Sequence, residues 1–358
     1  MKRILPLALP ALLALGTCGT AAAQSNITLY GLIDSSMTWV DNGAAGSSVK
    51  QQSGVAAGTR WGVLGSENLG GGIKANFVLE AGFFNDTGVS TGLGGFSRRS
   101  VVGLSGAWGA LDVGRDYNPV HTLLAQQDPM ANGMLSAASG FMGNAGAQQP
   151  NAVFYTTPDM AGWGGKIGYS LGENVNGARN GDTLSSRLVY DKDGLIAGMA
   201  YAYQNVVQTG GGSFIRDRQL LLTASYRFAF ITPVVMFETG KNKSGSIVYN
   251  SNNGVPFSAD YHTMMLGASV PVGVHRLAVS YQRYDDRTRA NADAANLALA
   301  GFYNLSKRTT LYANVAKLNN KNGQQFAFVD AGKNVYSYTA NGAHINPLGV
   351  AAGIMHRF

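Results

Sequence analysis

Residues whose type and spacing could carry covalent chemistry are scarce in this 358-residue chain. The five histidines, His121, His262, His275, His344 and His356, are scattered singly. None sits in G-x-S-x-G, H-E-x-x-H or a comparable motif, and no phosphate-cradling G-x-x-x-x-G-K-[ST] occurs. Cys18 is the only cysteine, so a thiolate metal site has no ligands and the histidines are not clustered into another. Catalysis therefore has no obvious carrier, and no cofactor or metal is implied. What remains is fixed charge at strand spacing. In "TRWGVLG", Arg60 and Gly62 share one face and Trp61 and Val63 the other. Glu80 shares a face with Asn76 and Val78, and Arg98-Arg99 lead into Val101-Val102. Charges held this way shape a field rather than break bonds.

The elements that must hold those charges alternate with period two. In "RQLLLTASYRF", Leu220, Leu222, Ala224, Tyr226 and Phe228 fall on one face, with Gln219, Thr223, Ser225 and Arg227 opposite and Leu221 the single lapse. Leu277, Val279 and Tyr281 oppose Arg276, Ser280 and Gln282; Leu311, Ala313 and Val315 oppose Thr310, Tyr312 and Asn314. A soluble β-sandwich would alternate in the same way. The connections, tight turns alternating with long polar loops, tip the balance, and composition points the same way: charged residues are only 13%, about half the usual share, and glycine contributes 48 residues, nearly double its usual share. Beyond the first residues no stretch is long and apolar enough for a spanning helix. Few charges, many glycines and period-two patterning suit a membrane barrel with one face to lipid and one to water.

Residues 1–23, "MKRILPLALPALLALGTCGTAAA", carry a cationic start, a short apolar core and a small-residue cleavage site. They read as an export signal, with the mature chain starting at Gln24. A lipoprotein signal ending at Cys18 is the alternative, weakened by the bulk of Thr17 just before it. Loss of Lys2 and Arg3 leaves 25 basic against 20 acidic residues, a modest excess of +5 whose placement matters more than its size. Nothing in it points to a nucleic-acid partner.

The connections alternate between tight turns and long Gly/Asn-rich loops. Turns are expected near residues 68–72, 107–109, 161–164, 191–194, 230–231, 271–273 and 306–308. Loops are expected over roughly 41–56, 84–95, 118–149, 173–183, 205–216, 242–260, 286–293 and 320–346. Together they separate about sixteen antiparallel strands, an even number as in bacterial barrels. No linker or composition break divides residues 24–358, which are expected to form a single barrel domain.

Five stretches carry a family resemblance: "ITLYGLIDSS" (27–36), "TRWGVLGSENLGGGIKANFVLEAGF" (59–83), "FSRRSVVGLSGAWGALDVGRDYNP" (96–119), "YNLSKRTTLYA" (303–313) and the closing "HRF". In this order they resemble the general trimeric porins of β-proteobacteria, relatives of the neisserial porins. The resemblance implies an outer-membrane homotrimer passing small hydrophilic solutes and inorganic anions through a water-filled channel, in contact with lipid and lipopolysaccharide. A substrate-specific channel is the alternative. It also implies that the third loop, 118–149, folds into the pore. That loop is unusually apolar for a surface segment (Leu123, Leu124, Met130, Met134, Leu135, Phe141, Met142), though its apolar residues could instead cover a trimer contact.

A charge facing lipid at mid-membrane costs roughly 2–4 kcal/mol, so Arg60 and at least one of Arg98 and Arg99 should face water. By resemblance, Arg60 and Arg98 belong to an arginine cluster on the barrel wall, opposed by Glu80 and by Asp128 on the third loop; Arg115 at the head of that loop is a further candidate. Each could equally be a salt-bridged structural residue. Leu64 and Gln148 stand where relatives often carry basic residues, which implies a milder anion preference. The chain stops in mid-alternation, with Val350, Ala352, Ile354, His356 and Phe358 on one face. A closed barrel explains this, because the last strand must pair with the first. The resemblance implies that Phe358 is read by the outer-membrane assembly machinery; otherwise it is an interfacial anchor.

Overall fold

In the computed structural model, residues 26–43, 46–92, 94–136, 138, 142, 147–173, 179–207, 214–244, 258–328 and 346–358 are described. The expected export signal (residues 1–23), Phe141 and His344 fall outside them. Among the described residues the chain forms seventeen strands and one helix. The strands are β1 (Asn26–Asp41), β2 (Ser47–Ser53), β3 (Arg60–Gly70), β4 (Ile73–Gly82), β5 (Arg99–Gly106), β6 (Gly109–Tyr117), β7 (Gln148–Thr156), β8 (Trp163–Ser170) and β9 (Thr183–Lys192). They continue as β10 (Leu195–Val207), β11 (Phe214–Tyr226), β12 (Thr232–Lys241), β13 (Asp260–Val272), β14 (His275–Asp286), β15 (Ala294–Asn304), β16 (Thr309–Asn320) and β17 (Leu348–Arg357). The helix, α1, spans Pro119–Gln127.

Each strand from β3 onward pairs antiparallel with the next, and β17 closes on β1 from Leu32↔Arg357 to Asp41↔Leu348. The edge is thereby abolished, as hydrocarbon requires of a sheet. β2 and β3 are two pieces of one wall strand. β2 pairs with the far half of β1 (Ser35↔Ser53 to Asp41↔Ser47) and β3 with its near half (Asn26↔Ser66 to Leu32↔Arg60). The wall therefore has the expected sixteen strands, one of them broken at residues 54–59.

The loop boundaries shift. Residues 47–53, inside the first expected loop, are strand β2, and β10 and β11 extend into the expected loop 205–216. "SSVKQQS" carries no apolar face to mark it; Val49 is its one apolar residue, and it is tied to β1 by backbone pairing and by Gln51 Nε2 donating to Ser35 Oγ at 2.9 Å. Helix α1 also lies within the third loop. Its start is written as Asn118, whose side chain accepts the Val120 N–H at 2.8 Å, followed by Pro119 in the first turn.

The outward face is apolar: Val102, Leu277, Leu299 and Ile354 stand exposed to the lipid side. On the last strand Val350, Ile354 and Phe358 are exposed while Ala351 and Met355 are buried, so the expected parity holds. Inward, the third loop fills part of the lumen. Val120, Leu123 and Leu124 of α1, with Ala138 and Met142, pack on Val189, Ala200, Ala202, Leu221, Val234, Met236 and Met265. Leu221, the lapse in its strand's alternation, is 0% exposed because it sits beneath this helix. Gly198 completes the seat: a Cβ there would lie 2.6 Å from Leu123 Cδ1. Met130, Met134 and Leu135 form a second contact with Val55, Ala56, Tyr284, Phe326 and Phe328. The described apolar residues of the loop thus pack into the barrel.

Candidate pore constriction

Two carboxylates organise the basic residues of the lumen. Glu80 on β4 accepts from Arg98 Nε at 2.8 Å and Tyr117 Oη at 3.2 Å through Oε1. Its Oε2 accepts from Tyr30 Oη at 2.9 Å and lies 3.6 Å from Arg60 Nε. Arg98 also bonds the Tyr117 hydroxyl. Asp116 on β6 binds Arg99 Nε and Lys166 Nζ, both at 2.7 Å. The Lys166 ammonium lies 4.6 Å from the centre of the Phe154 ring.

Period two explains most of this. Arg60, Glu80 and Arg99 are inward because their neighbours Trp61 and Val102 are outward, and Glu80 faces Arg99 across the β4–β5 pair. Arg98 lies one residue before β5 begins, outside the strand's alternation, and turns to the same side. Both members of the Arg98-Arg99 pair therefore reach the lumen, each with its own carboxylate. Lys166 on β8 stands directly opposite Arg187 on β9, also inward. Like charges face to face destabilise a strand pair. Asp116 relieves Lys166, whereas Arg187 makes no ion pair among the described residues.

Two candidates lie elsewhere. Arg115 pairs with Ser100 and shares the outward face of Val113 and Val102; its guanidinium bonds the Ser97 carbonyl. Asp128 does not oppose Arg60 and Arg98; the arginine whose charge it feels is Arg276 on β14. Its carboxyl is folded into its own loop, accepting from Met130 N at 3.1 Å, Asn132 N at 2.6 Å and the Ser136 hydroxyl. Burial pushes the Asp128 carboxyl above its usual range, with those hydrogen bonds acting the other way. Glu80 is on the same wall as the arginines, as their counter-ion rather than their opponent. Phe358 lies on the outward face, and the Phe358 backbone pairs with Gly31 of the first strand.

The structure also brings in residues that strand parity alone did not single out. Tyr117 stacks on His121 of α1, ring centres 5.6 Å apart and planes 8° apart. Burial and the nearby Arg98 lower the His121 pKa to about 4. Below the loop tip, toward the short turns, lies a cavity of about 720 Å³. Arg227, Arg276 and Arg357 line it together with Ala56, Ala57 and Met130, and among the described residues no Asp or Glu does. Arg276 stacks over Phe302 at 4.0 Å and donates to the Pro129 carbonyl, tying the loop tip to β14. Alternation places Arg276 inward opposite Leu277, a signal present in the sequence but silent about charge balance. Among the described residues no group of three or more His, Cys, Asp or Glu could hold a metal ion.

Comparison with known proteins gives this geometry a family. Residues 8–323 match the model of the family described as Gram-negative porin. Outer membrane porin protein 32 of Delftia acidovorans is 33% identical, over 97% of this chain and 98% of its own. An outer membrane porin protein of Bordetella pertussis is 30% identical over the whole of both chains. Among solved structures, an anion-selective porin from Comamonas acidovorans superposes with a TM-score of 0.77 and 30% identity, over 94% of this chain and 100% of its own. With a closed sixteen-stranded wall, a lumen carrying the charges and a loop folded inside it, the chain belongs to the Gram-negative porins, channel proteins of the outer membrane.

Proposed function

We propose that the barrel is a general diffusion channel for small hydrophilic solutes with a mild preference for anions. The observation that carries the anion preference is the cavity on the turn side of the loop, which presents three inward arginines, Arg227, Arg276 and Arg357, and no carboxylate among the described residues. The wall cluster supports it more weakly. There Arg60, Arg98, Arg99 and Lys166 face Glu80 and Asp116, with Asp112 close by, and Arg187 adds a cation without an ion pair among the described residues. In a narrow lumen a few such charges set the sign of the field, and no energy source is needed. Arg60 and Arg98 are proposed to contribute to the filter beside Arg227, Arg276 and Arg357, with Glu80 holding them along the wall. Arg115 and Asp128 drop to structural roles. The relatives are porins rather than enzymes, and a passive channel needs no catalytic group.

Residues 1–23 are proposed to direct export, and three copies of the barrel to assemble in the membrane with Phe358 serving as the assembly signal. The outward apolar belt is the surface that would meet lipid and lipopolysaccharide. The test is reversal potential and single-channel conductance of the purified protein in a planar bilayer under a KCl gradient. Large ohmic steps in threes with a reversal potential favouring chloride support the proposal. Small currents blocked by one particular solute would favour a substrate-specific channel instead.

A further inference from the structure

The break in the wall strand between β2 and β3 is not an irregularity of the rim. Residues 54–59 fold inward from the wall and are held by Asp34, a fully buried carboxyl on the lumen face of β1. Asp34 Oδ2 accepts the backbone N–H groups of Ala56 and Ala57, both at 2.7 Å. Its Oδ1 accepts the Tyr312 hydroxyl at 2.5 Å, from β16 on the other side of the barrel seam. The ends of the fold are pinned as well. Gly54 N donates to the Asp34 carbonyl at 3.0 Å, and Asp34 N donates to Thr59 Oγ1 at 3.0 Å. So many bonds to so short a segment specify its inward course; a slack loop would not need them.

The segment touches both functional parts of the lumen. On one side Val55 accepts the backbone N–H of Met134 at 2.8 Å, docking the tip of the third loop. On the other, the Gly58 carbonyl accepts from Arg60 Nη1 at 2.8 Å. Gly58 also leaves room for Arg98: a Cβ at this position would lie 3.0 Å from Arg98 Nη1. Between these contacts Ala56 and Ala57 face the same cavity as Met130 and Ala131 of the loop. Four small or unbranched residues from two chain segments therefore share one opening.

We infer that residues 54–59 form the second lip of the constriction, facing the third loop, with Asp34 and Tyr312 as the latch that holds the lip in place and Ala57 as a residue on the ion path. This rests on reading the chain as a passive channel, and it makes the bore a property of two segments, only one of which is a loop. Ala57 contributes no bulk or charge, so its position can be tested by adding both. Gly58 and Asp34 act by positioning Arg60, Arg98 and the lip itself.

The experiment adds charge after folding. Ala57→Cys is introduced together with Cys18→Ala, which removes the chain's only other cysteine. The purified channel is inserted in a planar bilayer and treated with a cationic or an anionic methanethiosulfonate reagent. The expected result is a fall in conductance with both reagents and shifts of reversal potential in opposite directions. Conductance and reversal potential unchanged by both reagents would overturn the inference, as would a thiol the reagents do not reach. Because the shifts are read against the untreated channel, they are independent of whether that channel prefers anions. Absence of any current before treatment would instead count against the channel reading. As a second variant, Tyr312→Phe removes one bond of the latch and should change the ratio of docked to released lip by roughly tenfold, read as added open-channel noise. A noise spectrum identical to the parent's would remove Tyr312 from the latch.

Discussion

The two halves of the lumen wall solve different problems with the same alternation. From β3 to β9 the inward positions carry charge: Arg60, Glu80, Arg99, Asp112, Asp116, Lys166 and Arg187. From β10 to β16 the middle of the wall is lined largely by small, apolar or uncharged polar side chains, among them Ala200, Ala202, Leu221, Met236, Met265, Ser280, Gln282 and Ala298, all buried. The first half holds its ions because most are paired: Glu80 and Asp116 are buried among the cations they bind. The third loop packs over β10 and β11 and onto the neighbouring edge of the first half at β8 and β9, and a charge buried in the second half needs a partner of its own, as Glu238 has in the Tyr261 hydroxyl. The contrast teaches that an inward position is not by itself a water position. What lies across the lumen decides.

The largest effect is expected from breaking the seat. Leu123 and Leu124 are both fully buried against the second half of the wall. Truncating either to alanine should weaken docking by about 2–5 kcal/mol, and Leu124→Asp by more, since it buries an unpaired charge. The expected result is a larger, noisier conductance with the barrel still intact, checked by single-channel recording and by new protease sensitivity within residues 118–147. An unchanged conductance would mean that the loop does not narrow the pore.

Next in size is the charged half. Arg60→Ser with Arg98→Ser should move the reversal potential toward cations, and so should Arg227→Gln with Arg357→Gln on the turn side. The second pair should act more strongly per charge removed, because the first pair loses cations already offset by Glu80. If neither pair moves the reversal potential, the lumen arginines are not the filter. A smaller effect follows from screening. The Debye length falls from about 10 Å at 0.1 M to about 3 Å at 1 M salt, so selectivity should decline steadily over that range. Paired charges on the wall should lose less of their local effect than the open cavity does.

The smallest expected effect joins the two halves through His121, which α1 brings against Tyr117. Its pKa is lowered to about 4 in the docked loop, against 6.5 when free. Between those values a released loop binds a proton that the docked loop refuses. Docking through this residue is therefore fully favoured above pH 6.5 and weakens as pH falls toward 4. Asp128, whose carboxyl is pushed up by burial, contributes in the opposite sense. The measurement is the pH dependence of open-channel noise in wild type and His121→Phe, whose difference isolates the histidine. Equal profiles would show that His121 stays clear of the docking equilibrium.

Much of the barrel is written locally. Alternation of Leu277, Val279 and Tyr281 against Arg276, Ser280 and Gln282 fixes which face meets lipid, because successive side chains on a strand must point opposite ways. The seven short turns, the closing strand to Phe358 and the inward placing of Arg60 follow from the same rule. Tertiary structure decided the rest: that Glu80 would gather Arg60 and Arg98, that Arg99 would take Asp116, and that Leu221 would meet a helix rather than break a pattern. It also decided that residues 54–59 would leave the wall, held through Asp34 by Tyr312, 278 positions away in sequence. Period two reports only on neighbours along one strand. Pairing, loop docking and the lip depend on groups brought together when the barrel closes, and no local pattern records which of them will meet.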